Sequence, residues 1–449
     1  MRTPSIRSVA NAIVPIVVFT ACTSVTPSPA PEEPRSRSSA TATGAPAPSQ
    51  TGTTAATDST GSTGPTGAGA DAIVLRPPSG GSFLVRGRYP FVLSICERPE
   101  QPKLVARYPG SLSVERADDG SLALTATLDF ERYLEGIAEV PPSWPREALE
   151  AQAIAARSYA LASTDWNGEE GQTLPTPICA TSACQVYRGI PVPFDPAVRR
   201  WYAAVRRTAG EVLLFDGRPA ETVYFSTSNG QTYGNDEVFG SPPLPYLRPV
   251  VERDDGASSV SHWSVRLPFD DLRRFLAAAG EWRERRSISR VHLDGSTVIV
   301  SGEGRSRSMD ESTFRDAVNT WGPCLEPGRY PPASQPVTVP SRWMTLSNGP
   351  NGVVATGRGW GHGAGMVQWG AYGKARRGLS AEQILAYYYG GLRPRSFPEP
   401  GLIHVQVASG LRSLRVTPSA PGARLGGEIL GPGVVTITGG DRLTVNGDR

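Results

Sequence analysis

Short apolar runs set apart by glycine and proline open the patterned part of this chain: Ile73-Val74-Leu75, Phe83-Leu84-Val85, Phe91-Val92-Leu93 and Leu122-Ala123-Leu124. Runs of that length bounded by turn residues predict strands. Residues 134–139 then lead into Pro141-Pro142-Ser143-Trp144-Pro145, a forced turn. The clearest helical segment follows, over 145–163. Ser143 is placed to cap it, Pro145 suits its first turn, and Glu147 complements the positive end of its dipole. Ala148, Ala151, Ala155, Ala156 and Ala160 predict a helix packed closely against its surroundings. Strands are expected again at Glu211-Val212-Leu213-Leu214-Phe215 and over 222–227, and within 290–301. Helices fit 270–279 and 380–389, the latter starting on a serine. From 402 onward, Val/Ile/Leu runs spaced by Gly and Pro predict a small β appendage. The pattern as a whole predicts an α+β fold, strand-rich with a few packed helices, and holds no long internal repeat.

Ahead of this lies a different kind of sequence. Arg2 and Arg7 precede an apolar stretch over 10–21 that ends at Thr20-Ala21-Cys22. That stretch is too short for a permanent bilayer span and reads as a secretion signal over 1–22. A small residue before Cys22 resembles the bacterial lipobox, with Phe19 where that pattern usually carries Leu; Cys22 is then expected to be the lipidated N-terminus and membrane anchor, the alternatives being plain cleavage or retention as an uncleaved anchor. Residues 23–72 are almost all Ser, Thr, Pro, Ala and Gly, a composition that predicts a disordered tether. A flexible linker of about 50 residues spans ~40 Å on average. The expected organisation is therefore signal 1–22, linker 23–72, main domain 73–396 and appendage 397–449.

Composition narrows the function. With 39% hydrophobic and 19% charged residues, the 449-residue chain can build a sizeable core, and its net charge of +3 argues against nucleic-acid binding. Five cysteines are an odd number for an oxidising compartment. With Cys22 lipidated, Cys179 pairs with its near neighbour Cys184, and Cys96 with Cys324 by elimination. Cys-x4-Cys could instead ligate zinc, but no histidine lies nearby, and His262, His292, His362 and His404 are scattered. No metal or cofactor is demanded.

Three stretches carry candidate chemistry. In the first, Glu139 sits between Ala138 and Val140-Pro141, just before the proline turn and the helix. A carboxylate in such apolar company loses solvation and its pKa rises, which suits a general acid. The alternative is a surface glutamate that caps the helix. Glu131, Glu135, Glu147 and Glu150 compete, in more polar surroundings. In the second, Gly357, Gly359, Gly361, Gly363 and Gly365 would line one face of an extended chain, with Arg358, Trp360, His362 and Met366 opposite. That face is either a sugar platform or tight strand packing. The third, Thr222 to Thr232, is a strand running into a tip rich in hydroxyls and amides. Ser226 and Ser228 lack a nucleophile elbow.

In this order and spacing the stretches resemble the SpoIID/LytB family, named for stage II sporulation protein D and an amidase enhancer. The resemblance runs over about 75–392. It rests on residues 133–161, Cys179-x4-Cys184 with Gln185-Val186-Tyr187-Arg188-Gly189, and Thr208-Ala209-Gly210-Glu211-Val212. Ser228-Asn229-Gly230-Gln231-Thr232, Phe314-Arg315 and the Gly359-to-Gly363 block through Tyr388-Tyr389 complete it. It implies an extracytoplasmic, wall-facing domain and lytic transglycosylation of peptidoglycan glycan strands. The family's catalytic glutamate maps onto Glu139. Gln152, Arg157, Ser228, His362 and Gln368 are then expected to hold sugar hydroxyls and acetamido groups. The sporulation type carries two more residues between the Gly136 position and the glutamate, and many relatives carry Gly at Asn229. These departures place the chain nearer the LytB-like branch. The rival expectation is a non-catalytic wall-binding partner of an N-acetylmuramoyl-L-alanine amidase; a third is an envelope scaffold.

Overall fold

The computed structural model describes residues 72–88, 103–169, 172–174, 176–192, 194–330, 337–431 and 433–447. Alternation does what it predicts in the first strands. In Leu122–Asp129, Leu122, Leu124, Ala126 and Leu128 are buried while the residues between them are partly exposed. This strand lies inside a seven-stranded sheet ordered Glu428–Ile429, Arg424–Leu425, Ala72–Arg76, Ser111–Arg116, Leu122–Asp129, Leu402–Leu411 and Ile178–Cys179. A five-stranded sheet runs Thr444–Asn446, Val435–Thr438, Ser413–Pro418, Ser82–Arg88 and Lys103–Pro109.

Residues 397–449, expected as a separate appendage, are thus built into the sheets of the N-terminal strands. Leu402–Leu411 pairs with Leu122–Asp129, and Ser413–Pro418 with Ser82–Arg88. Ile403, Val405, Leu414 and Val416 are wholly buried in the same core as Leu75 and Phe83. The strand at Phe91-Val92-Leu93, the signal, the linker and Cys22 lie outside the described residues.

The helices are α1 (Phe130–Glu135), α2 (Arg146–Ser163), α3 (Val198–Arg207), α4 (Asn235–Phe239), α5 (Phe269–Ala278), α6 (Glu311–Leu325), α7 (Gln368–Arg376) and α8 (Ala381–Tyr388). With several sheets beside them, the class is α+β. The central helix is α2, whose alanines let α3, α7 and α8 come close. Its N-cap is Pro145, with no side-chain cap, so Ser143 does not play the expected part. The capping signal at α8 is real: Ser380 and Gln383 form a reciprocal capping box. Within 222–227 only Tyr224–Phe225 forms a strand, paired in parallel with Met366–Val367.

Residues 263–330 and 337–357 form an inserted module with its own core of Leu267, Leu272, Phe275, Phe314, Val318 and Val353. It combines α5 and α6 with two three-stranded antiparallel sheets. One holds Trp263–Pro268, Gly352–Gly357 and Met344–Gly349; the other holds Arg290–Asp294, Thr297–Gly302 and Arg305–Asp310. No helix among the described residues is long and apolar enough to cross a membrane.

Candidate active site

Glu139 is held by a short two-stranded contact. After α1 ends at Gly136, the chain runs antiparallel to residues 186–188: Ala138 N–H donates to the Val186 carbonyl at 2.9 Å and Arg188 N–H to the Gly136 carbonyl at 2.9 Å. A side chain at Gly136 would strike the Tyr187 ring, its Cβ falling 2.2 Å from the nearest ring carbon, so the close pairing requires glycine there. The Val186 N–H then donates to Glu139 Oε1 at 2.6 Å. Just upstream, Cys179 and Cys184 are disulfide-bonded, closing the loop that delivers Gln185 and Val186. Those two thiols are therefore not zinc ligands. Cys324 is also in a disulfide, while Cys96, its expected partner, lies outside the described residues.

The Glu139 carboxyl is raised from 4.5 to about 7, by burial first; the Val186 N–H and the Arg188 charge pull it partly back. The residue nonetheless keeps some accessible surface. Tyr133, Tyr159 and Tyr224 lie within reach of its charge. Beneath them Gln185, wholly buried, ties the wall together. It accepts from Tyr133 Oη at 2.6 Å and donates to Tyr224 Oη and to the Ala156 carbonyl, each at 3.0 Å. Gln185, Tyr133 and Tyr224 were not singled out as site residues. The signal that could have found them is the polar Gln185 next to Cys184 inside an apolar run.

Of the five residues expected to bind sugar, α2 and α7 bring two together. Gln368 Nε2 donates to Gln152 Oε1 at 3.4 Å, and Gln152 Nε2 is buried without a partner. Beside Gln368, Trp369 and Tyr372 form an aromatic trio with Trp144, with ring centroids 4.9–5.3 Å apart. Trp144 is buried and the other two are half-buried.

The remaining three each hold partners within the fold. Arg157 has no exposed surface and is ion-paired at 2.8 Å with both Glu131 and Glu399, joining α1 to the C-terminal segment. Ser228 is buried; its N–H and Oγ–H both donate to Asp255 Oδ2, at 2.8 and 2.7 Å. His362 is engaged at both ring nitrogens. Nδ1 accepts from Ala364 N–H at 3.1 Å, which leaves Nε2 to donate to the Tyr224 carbonyl at 2.9 Å. Burial pushes its pKa down to about 4, so the ring is neutral and serves to hold Tyr224.

The glycine block is not an extended platform. Gly359, Gly361, Gly363 and Gly365 have φ of 77°, 115°, 103° and 74°, in the left-handed region that favours glycine. A Cβ at Gly365 would lie 2.0 Å from the Val223 carbonyl oxygen, and one at Gly359 2.6 Å from that of Thr227. The glycines let this loop lie against the Tyr224 strand.

The fold and site thus define an α+β domain in which the half-buried Glu139 carboxyl, raised by burial, is set against a hydrogen-bonded tyrosine wall. The chain belongs to the SpoIID/LytB family. The SpoIID family model, described as stage II sporulation protein, matches residues 118–215, which hold Glu139, α2 and the disulfide loop. An uncharacterized protein of Brachyspira hyodysenteriae is 32% identical over 291 residues, covering 64% of this chain and 71% of that protein. Stage II sporulation protein D of Bacillus subtilis is 28% identical over 293 residues, 63% of this chain and 78% of the relative. The amidase enhancer of the same organism is 27% identical over 301 residues, 58% of this chain but only 39% of that longer protein.

Proposed function

We propose that this chain is a lytic transglycosylase that cleaves the MurNAc–GlcNAc bond of peptidoglycan glycan strands outside the cytoplasm, with Glu139 as its general acid and base. The observation that carries the reading is the partly accessible Glu139 carboxyl, raised to about 7 by burial and set against the tyrosine wall; Glu131 is raised as far but is ion-paired with Arg157. Glycoside hydrolases generally use a pair of carboxyl groups. A transglycosylase needs one, because the 6-hydroxyl of the muramic acid is the nucleophile. Protonated Glu139 gives its proton to the departing glycosidic oxygen as the C1–O bond breaks. The 6-oxygen then bonds to C1, closing a 1,6-anhydro ring, and its proton returns to the Glu139 carboxylate. A tethered hydroxyl reaches effective molarities of ~10⁵ M or more, so no enzyme nucleophile is required. Gln152 and Gln368 are proposed to meet amide or hydroxyl groups of the strand, which would satisfy the unpartnered Gln152 Nε2. Anchoring through a lipid on Cys22 would keep the domain near the membrane, facing the wall.

A second reading, a non-catalytic wall-binding protein that stimulates a cell-wall amidase, is favoured by the likeness to the amidase enhancer. Mass spectrometry of denuded glycan strands treated with the purified chain, beside Glu139→Gln, separates the two. Disaccharides ending in 1,6-anhydro-muramic acid, absent with the variant, are expected. Reducing ends would mean a hydrolase, and binding without cleavage would mean the enhancer.

A further inference from the structure

We propose that the inserted module carries a binding site for an anionic wall polymer, in an arginine-lined cleft that plays no part in the Glu139 chemistry. The inference rests on the wall-facing reading above. The cleft measures about 510 Å³ and is lined by Trp282, Arg283, Arg286, Arg305 and Arg307, with Glu281 as its acidic member.

Two elements build it. Arg305–Asp310 is the outer strand of its sheet, and alternation along the strand sets Arg305 and Arg307 on one face. The loop after α5 supplies the opposite wall. Gly280, at φ 78°, turns the chain, and Trp282 N–H donates to the Leu276 carbonyl at 3.1 Å. Trp282 Nε1–H donates to the Arg286 carbonyl at 2.7 Å, and Arg286 N–H to the Arg283 carbonyl at 3.0 Å. The arginines therefore project from backbone that is already fixed.

Their charge is offset only in part. Arg307 is paired with Glu281 at 2.8 Å. Glu303, kept ionised by Ser287 N–H and Oγ–H at 3.0 and 2.8 Å, offsets Arg286. Arg283 and Arg305 are exposed and form no ion pair among the described residues. A net charge of only +3 over the whole chain makes this concentration local. Concave walls focus such a field, and guanidinium forks match the oxygens of phosphate or carboxylate. The cleft is larger than one such group fills and opens beside a sheet edge, which suits a chain of repeating oxyanions.

The test is fluorescence anisotropy of the full-length chain in detergent with labelled poly(glycerol phosphate), poly-glutamate and a neutral chitooligosaccharide. Polyanion binding is expected, weakening as salt is raised. Arg283→Ser/Arg305→Ser should weaken it about tenfold or more, since hydrogen bonds to charged groups are the strong ones. The charge-matched control Arg266→Ser/Arg415→Ser, at exposed positions elsewhere, should not. Binding of the phosphate polymer alone identifies a wall phosphodiester, and binding of poly-glutamate alone identifies stem-peptide carboxylates. Absence of polyanion binding, or equal losses in the site and control variants, overturns the proposal. Thermal melts establish that both variants fold. Glycan cleavage, followed on the same samples, fails separately if the proposed function is wrong.

Discussion

At the scale of the residue, Glu139 is a carboxyl whose ionisation the fold resists. Its pKa rises from 4.5 to about 7 because burial outweighs the help of one N–H and a nearby arginine. The unfolded chain releases this proton at lower pH than the folded one. The associated stability is therefore present below about pH 4.5 and lost as pH climbs towards about 7. Glu139→Gln, neutral at every pH, should gain stability relative to the parent between these limits. The gain should reach on the order of 3 kcal/mol above pH 7, at about 1.4 kcal/mol per pKa unit. Thermal melts at pH 4.5 and 8 check this, and a difference that does not grow with pH would refute it. Catalysis should follow the protonated form, so the rate of anhydro-product formation should fall above about pH 7. The apolar company of Glu139 was legible in the chain, since Ala138, Val140 and Pro141 adjoin it. The roles of Arg157, Ser228 and His362 were not. Each depends on a partner from a remote segment, namely Glu399, Asp255 and Tyr224.

At the scale of the element, local propensity misleads wherever tertiary contacts demand glycine. The α7 sequence holds Gly370 and Gly373, poor helix formers, and the chain pattern alone did not suggest a helix there. A Cβ at Gly370 would lie 2.2 Å from Tyr388 Oη and 2.4 Å from Glu252 Oε2. Gly370→Ala should therefore destabilise by ~1–3 kcal/mol despite alanine's better propensity, as overpacking typically does. Urea denaturation would read the loss; a stabilised variant would show that the neighbours yield freely. The disulfide loop works differently. Cys179→Ser/Cys184→Ser removes a closed short loop worth about 2 kcal/mol and loosens Val186 beneath Glu139. Without the Val186 N–H the carboxyl should rise further. The high-pH limb of the activity profile should move upward in that variant, and an unmoved limb would mean that the loop does not set the glutamate.

At the scale of the whole molecule, distant parts of the chain complete each other. Lys374 on α7 is ion-paired at 3.0 Å with both Glu252 and Asp254, and Lys374 and Glu252 are almost wholly buried. Lys374→Met would leave Glu252 without its cation, which typically costs about 3–5 kcal/mol. Chemical denaturation should show that loss with little dependence on salt, because the pair is shielded from solvent. Truncation after residue 396 tests the sheets directly. It removes Leu402–Leu411 from between two strands of one sheet and Ser413–Pro418 from the middle of the other. The truncated chain should lose cooperative unfolding in calorimetry, whereas a true appendage would leave the remaining transition intact. Strand alternation, the Ser380 cap and the glutamate in its apolar setting were determined by the sequence alone, because each is a relation between residues close along the chain. The merging of the two ends into common sheets, the occupation of Arg157, Ser228 and His362, and the tyrosine wall under Glu139 were decided only by tertiary structure. They are pairings between distant segments, and the local pattern of apolar and polar residues contains no term for them.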